Sequence, residues 1–473
     1  MKQLFKTPGR DEILQGHALR TMAKIGFPAV LSSVVQTFYN LTDALFLGRL
    51  PETGAAGIAA VQSSWPFVWL ILSFVTGFGG AAVTALVAQH LGAGQPRRAN
   101  YAMNQLFTVS VISGFILGAA GYALTPWIVS FVVSDPAVAA KAAVYLKVIF
   151  LGLPTMMLPG LFYYTLSAAG DTVTPLLING GGTILNIGLD AVLILGLGPF
   201  PQMGILGAAV ATVISQGLAT IAFLVLFRKG IGVLRLDRQA LKPRWSWMWK
   251  ALRIGLPAGL GSSAIAFGFV LMMKIIGRLD NAMPALAGYG VADRLFGLLF
   301  IATSGLSVGL TTMIGQALGA GLRDRARNLM KKGVQALFVV LILETVFIYL
   351  LRRPLVSVFL PYAPDAAREA IRFIELFSVG MPLLGVYFAA EAVYRGSGWN
   401  LPMTVLGVMR LVIRLSSGWL LAFPLKMQSD GIWIGMSLSN VIIGSISIPF
   451  LLSSRWMRAR IHTDDDAETD VEP

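Results

Sequence analysis

Residues 25–47 read IGFPAVLSSVVQTFYNLTDALFL, an apolar run that carries one formal charge, Asp43. The run is long enough to cross a bilayer as a helix, for which about 20 apolar residues suffice. A second carboxylate, Asp190, stands in another such stretch, Leu176 to Leu197. An acid at the centre of a spanning helix costs roughly 2.5–3.5 kcal/mol on insertion scales, so it is kept where it faces protein or water and serves a function. Two such acids in the amino-terminal half imply a protein-lined or water-filled interior that binds a cation. The reading that follows is a membrane transporter driven by an ion.

The remainder of the 473 residues extends this pattern. The chain is 56% hydrophobic and 13% charged, against about 25% charged residues in soluble domains. Its apolar residues fall in long runs, which predicts an all-α membrane protein with twelve transmembrane helices. Their limits are roughly 24–47, 56–88, 101–124, 141–168, 175–197 and 203–228, then 250–276, 285–318, 333–351, 367–395, 402–424 and 431–454. Residues 53–96 contain no Asp, Glu, Lys or Arg. That stretch is too long for one upright helix and tight for two, and predicts one long tilted helix interrupted near Pro66 and Gly77-Phe78-Gly79-Gly80.

Lys and Arg set the orientation. With the amino terminus inside, segments 89–100, 229–250 and 319–332 are cytoplasmic and hold Arg97, Arg98, Lys229, Arg235, Arg238, Lys242, Arg244, Lys250, Arg323, Arg325, Arg327, Lys331 and Lys332. The opposite side holds fewer, so both termini are expected on the cytoplasmic side of a prokaryotic plasma membrane. The net charge of +14 thus reflects topology in a lipid bilayer and does not point to nucleic acid. Trp245, Trp247 and Trp249 read as an interfacial anchor, and the acidic tail 456–473 reads as disordered. The absence of cysteine excludes disulfides and thiol chemistry, and His17, His90 and His462 are too scattered for a metal cluster. A membrane-embedded transferase would need an acid-rich or His-bearing cluster at a membrane surface. The one acid run, Asp464-Asp465-Asp466, is in the tail, so the chain is read as no enzyme, with no cofactor beyond a coupling ion.

The sequence also repeats itself. Ile25-Gly26-Phe27-Pro28-Ala29 matches Ile254-Gly255-Leu256-Pro257-Ala258, and Gly48-Arg49-Leu50 matches Gly277-Arg278-Leu279. Gln89-His90-Leu91-Gly92-Ala93-Gly94 matches Gln316-Ala317-Leu318-Gly319-Ala320-Gly321, Gly152-Leu153-Pro154 matches Gly380-Met381-Pro382, and Gly204-Ile205 matches Gly431-Ile432. The matches keep their order, so the chain divides into an amino-terminal lobe (1–228, spans 1–6), a cytoplasmic linker (229–250) and a carboxy-terminal lobe (251–455, spans 7–12). Six spans per lobe make the repeat parallel, a pseudo-two-fold about the membrane normal, with the transport site expected between the halves. Such a repeat suits alternating access better than a channel. Nothing in it requires more than a monomer.

The repeat, the spacing of Pro28, Gln36, Asp43 and Gly48, and the Gln-x-x-Gly-Ala-Gly loops together resemble the multidrug and toxic compound extrusion (MATE) transporters. The run Tyr39-Asn40-Leu41-Thr42-Asp43 is most similar to their DNA-damage-inducible, prokaryotic branch. The resemblance implies two six-helix lobes around a cavity that opens alternately to either side, and cation-coupled antiport of drugs or other small organic substrates. It also implies a cation site made by Asp43, Asn186 and Asp190, with a sixth-span threonine for which Thr212 is the candidate. A lipid-linked precursor flippase of the same superfamily is the alternative; its usual fourteen spans count against it.

The residues themselves give the same site a physical basis. Gln36, Asn40 and Asp43 share one helical face, and Asn179, Thr183, Asn186 and Asp190 form a polar stripe at i, i+4, i+7, i+11. Two acids brought together out of water can share a proton. Alternatively, Asn186, Thr183 and carbonyls freed near Gly180-Gly181-Gly182 can complete an oxygen cage for sodium. H+ and Na+ both remain open. Purely structural hydrogen bonding between helices is the bland alternative for Gln36, Asn40 and Asn179. In the second lobe Asp43 becomes Met272 and Asp190 becomes Ser417, so coupling is expected in the first lobe alone. The second lobe carries Lys274, Asp293, Arg294, Glu344, Glu391, Arg410 and Arg414 instead. They read either as internal salt bridges or, through the arginines, as contacts to an anionic or zwitterionic substrate. Tyr39, Asn179, Met272, Arg294, Arg410 and Arg414 are the substrate-cavity candidates. Pro28, Pro154, Pro159, Pro257, Pro382 and Pro402 are candidate kinks or hinges.

Overall fold

The computed structural model describes residues 7–48, 54–132 and 136–457, with the backbone alone at 38–45, 47, 48, 54–67, 75, 131, 132 and 137. The first two residues of the tail expected to be disordered are ordered instead: Trp456 and Met457 are buried, and the Trp456 indole N–H donates to the Leu451 carbonyl at 3.0 Å. The remainder of that tail, 458–473, and the Arg49-Leu50 part of the repeat lie outside the described residues. Fifteen α-helices follow one another: α1 (Arg10–Gln15), α2 (Ala18–Gly48), α3 (Gly54–Gly92), α4 (Pro96–Val132), α5 (Pro136–Met156), α6 (Leu158–Ala168), α7 (Val173–Leu195), α8 (Ile205–Lys229), α9 (Trp245–Ile276), α10 (Ala282–Gly319), α11 (Arg323–Phe359), α12 (Pro364–Ser378), α13 (Met381–Ser397), α14 (Leu401–Ala422) and α15 (Gln428–Leu452). Among the described residues, eleven helical stretches are long and apolar enough to span a membrane, and the bent pair α12–α13 makes a twelfth. Six fall in each half of the chain, so the protein is an all-α membrane protein of two six-helix lobes on one plan.

Helices dominate because hydrocarbon offers no partner for a free backbone N–H or C=O, and an α-helix satisfies both within one segment. The same constraint overrides the breakers that were expected to interrupt spans. The α3 helix runs unbroken through Pro66 and Gly77-Phe78-Gly79-Gly80, contrary to expectation. Pro28, Pro154 and Pro257 lie inside helices, whereas Pro159, Pro382 and Pro402 sit at the first turns of α6, α13 and α14. At a first turn the missing N–H has no intrahelical partner to lose, so those three prolines start helices and do not kink them. The true breaks lie at Met157, between α5 and α6, and at Val379-Gly380, where α12 and α13 are bent by 61°. Both are close to the repeated Gly-x-Pro of Gly152 and Gly380.

The chain forms two compact units whose boundaries cut through helices. The first holds Pro28–Gly259, and the second holds Pro8–Phe27 together with Leu260 onward. The start of α2 therefore belongs to the second unit and the start of α9 to the first. Glycine makes both attachments possible. A Cβ at Gly26 would lie 2.7 Å from the Gly305 carbonyl oxygen of α10, and one at Gly255 would lie 2.7 Å from the Phe78 carbonyl oxygen of α3. Gly26 and Gly255 are repeat mates, as are Phe78 and Gly305. Within each unit the helices close on aromatic cores. Phe162 stacks on Phe227 at 4.6 Å in the first. Phe373 meets Trp433 at 4.9 Å in the second.

The segment between α8 and α9 is tied down by amide side chains of α4. Gln105 donates to the carbonyls of Ala240 (2.6 Å) and Lys242 (2.8 Å) and accepts from the Arg244 N–H (2.9 Å). Asn104 donates to the Arg235 carbonyl at 2.9 Å and accepts from the Asp237 N–H at 3.0 Å. Trp245 and Trp249 are exposed at the start of α9, as an interfacial anchor requires, but Trp247 packs between His90 (5.8 Å) and Tyr101 (5.3 Å). Gln105 is buried, so Gln105→Leu strands two carbonyls and an N–H and is expected to destabilise by about 1–3 kcal/mol. Limited proteolysis should then cut faster within residues 230–244; an unchanged cleavage rate would show that the clasp holds nothing.

Candidate functional site

The α7 helix is amphipathic in the sense that matters inside a membrane. Asn186 and Asp190 are each 0% exposed and Thr183 is buried, while Ile184 is 73% exposed on another face. The polar stripe thus turns into the first unit and the aliphatic residues turn out. Thr183 donates to the Asn179 carbonyl one turn earlier at 3.1 Å, and Asn179 is half-buried. Both amide atoms of Asn186 lack a hydrogen-bond partner among the described residues. An uncompensated buried amide costs free energy, and its oxygen is free to accept from a protonated acid or to ligate a cation.

Packing against α8 fixes the depth of this stripe. A Cβ at Gly207, in the first turn of α8, would lie 2.6 Å from the Leu193 carbonyl oxygen of α7. Farther along, a Cβ at Gly182 would stand in ordinary contact with Ala219, at 3.5 Å. Thr212, the α8 candidate, is buried and its carbonyl accepts from Ser215 at 3.0 Å. The expectation that Gly180-Gly181-Gly182 frees carbonyls is not met, since α7 is continuous through them. A glycine in a helix costs only about 1 kcal/mol relative to alanine, less than opening backbone hydrogen bonds in an apolar medium. On α2, Gln36 is exposed. Tyr39, Asn40 and Asp43 lie on the same helix, and their side chains fall outside the described residues.

In the second unit Met272 (α9), Tyr289 (α10), Arg410 and Arg414 (α14) line one recess. Arg294 is exposed on α10 and is not among the lining residues. Among the described residues, the salt bridges that were one reading of the two arginines do not form. Glu391 pairs instead with Arg395, one turn away on its own helix, at 2.6 Å. Glu344 accepts from Thr303 at 3.1 Å. Tyr289 escaped notice in the sequence because its role comes from stacking on Trp433 (5.7 Å) across two helices, which no local pattern signals. Among the described residues, no group of three His, Cys, Asp or Glu could hold a metal ion.

Comparison with known proteins agrees with this architecture. The MatE family model matches residues 28–192 and again 257–420. The two matches start at Pro28 and Pro257, which are repeat mates. A probable multidrug resistance protein NorM of Thermotoga maritima is 27% identical over 450 residues, covering 94% of each chain. An FAD transporter of Shewanella oneidensis is 24% identical over 448 residues, covering 92% of this chain and 94% of its own. Among solved structures, a MATE protein in complex with MaL6 superimposes with a TM-score of 0.87 at 20% identity, over 96% of this chain and 99% of the other. A MOP-superfamily transporter from Pyrococcus furiosus, described as having a binding pocket of reverse polarity, gives 0.86 at 20% identity over the same shares. The chain belongs to the MatE family. Its members are transporters, and the protein is a multi-pass membrane transporter and not an enzyme.

The contact that seats α7 on α8 can be tested apart from transport. Gly207→Ala drives a Cβ into the Leu193 carbonyl and is expected to destabilise by about 1–3 kcal/mol. Gly180→Ala, with nothing within 4 Å, should leave the thermal midpoint in detergent unchanged or slightly raised. Equal effects of the two would refute this account of the α7–α8 contact.

Proposed function

We propose that the protein is a cation-coupled antiporter that exports drugs or other small organic compounds by alternating access. The observation that carries the proposal is the complete burial of Asp190 and Asn186 on the polar face of a membrane-spanning helix. A group as costly as a carboxylate at that depth earns its place by binding a charge. In this reading H+ or Na+ is held by Asp43, Asn186 and Asp190, assisted by Thr183, Thr212, Gln36 and Asn40. The glycine-mediated attachments of α2 and α9 let the halves of those helices follow different units. Binding a cation at one end of α2 can therefore be felt across its proline, Pro28.

Several finer statements belong to the same proposal. Both termini face the cytoplasm of a bacterial plasma membrane, because Lys and Arg concentrate in the segments on that side. One chain suffices for transport. The Tyr39–Asp43 run supports a position in the DNA-damage-inducible branch of the family. Drug cargo is supported by relatives named as multidrug resistance proteins, including PmpM of Pseudomonas aeruginosa at 25% identity over 453 residues. None of the relatives or structures above favours the flippase alternative.

The test is uptake of fluorescent organic dyes, one anionic and one cationic, into vesicles under separately imposed proton and sodium gradients. One gradient should drive transport, and Asp190→Asn should reduce it to the background of empty vesicles while elution and thermal midpoint are preserved. Asn186→Ala should weaken coupling less, by about tenfold, since it removes a neutral ligand and not the charge. Undiminished gradient-driven transport by Asp190→Asn would sink the mechanism.

A further inference from the structure

The second unit holds a feature that cation coupling does not use: two guanidinium groups that make no ion pair among the described residues. Arg410 and Arg414 are one turn apart on α14 and line a recess with Tyr289, Met272 and Phe269. Among the described residues neither arginine makes an ion pair. The acids of this unit are committed elsewhere, Glu391 to Arg395, Glu375 to Arg352 and Asp430 to Arg372. Asp293 acts electrostatically on Arg414 and on Tyr289 and offsets one of the two positive charges, but it makes no ion pair with Arg414. Like charges one turn apart on a helix repel each other, so the recess carries an excess of positive charge.

What holds the arginines is neutral. Arg410 lies over the Tyr387 ring at 5.2 Å, and Arg414 lies over the Phe377 ring at 5.9 Å. Arg414 also reaches Ser439 at 3.5 Å and Asn440 at 3.3 Å, two long contacts that use two of its five N–H donors. Stacked in this way, the guanidinium planes are oriented and keep donors in reserve. The repeat sharpens the contrast. Thr183, Asn186 and Asp190 of α7 correspond, at an offset of 227, to Arg410, Ile413 and Ser417 of α14. The face that presents an acid in the first unit presents a base in the second.

From this geometry we infer that the recess binds the anionic group, a carboxylate or a phosphate, of a substrate with an aromatic or apolar body. Planar guanidinium groups pair with such oxyanions through two parallel hydrogen bonds, and Phe269 and Met272 supply a deformable apolar bed beside them. This deepens the transport reading, on which it rests, by naming a substrate class. The oxyanion can belong to a soluble organic anion or to a lipid headgroup.

The experiment compares flavin mononucleotide with riboflavin, the same ring system without the phosphate, by flavin fluorescence on the purified full chain in zwitterionic nanodiscs. Wild type is expected to prefer the phosphate form by about tenfold or more, since a charged hydrogen-bonded pair is gained. Arg410→Gln and Arg414→Gln should each erase most of that preference, while Arg294→Gln, outside the recess, should keep it. Thermal midpoints of the variants control for folding, and Arg414→Lys should restore only part of the preference because the fork is lost. Displacement of the nucleotide by added phosphatidylglycerol assigns the site to lipid headgroups, and its absence assigns it to soluble anions. Equal binding of the two flavins, or an undiminished preference in both glutamine variants, overturns the inference. The gradient assay on Asp190→Asn is independent of these readings, so loss of the anion site and loss of the coupling mechanism are told apart.

Discussion

Everything in this protein follows from the need to satisfy backbone hydrogen bonds in a medium that offers none. That need keeps α3 and α7 helical across prolines and glycines that would interrupt a helix in water. It also makes polar side chains conspicuous, because a buried amide or acid has no solvent to fall back on. Asn186 and Asp190 stand out for that reason, and so do the arginines of α14.

Glycine then determines how the helices meet. Without a hydrophobic drive between apolar helices, close approach of backbones supplies the packing. The Gly26–Gly305 and Gly255–Phe78 contacts repeat one geometry at two places in the chain. They attach the first part of α2 and of α9 to the opposite unit from the remainder of the helix. A helix shared between two units is a natural lever, and in both cases a proline, Pro28 or Pro257, lies within three residues of the boundary.

The duplication has diverged in charge rather than in form. Both units keep a fourth span divided into two helices, α5–α6 and α12–α13, and the helix pair that follows it. Yet α7 buries a carboxylate, and α14 turns guanidinium groups toward a recess. On the proposed mechanism, the driving cation and the anionic cargo gain from two sites of opposite polarity, since each site would reject the ligand of the other by charge.

Much of this was legible in the sequence because it depends on composition and period. Twelve spans, the repeat, the buried stripe of α7 and the exposed Trp245 and Trp249 all arise from local chemistry acting against a uniform apolar solvent. Other features depend on which helix lies beside which. Trp247 was expected in the interface and is packed against His90 and Tyr101. Internal salt bridging was one of two readings of Glu391, Arg410 and Arg414, and Glu391 pairs with Arg395 instead. Tyr289 owes its position to Trp433, 144 residues away in the chain. Sequence alone determined that the chain crosses a membrane repeatedly and where its costly polar groups lie, because insertion is a property of each segment. Only tertiary structure decided which of those groups are paired and which remain available, because pairing is a property of neighbours that the chain brings together from far apart.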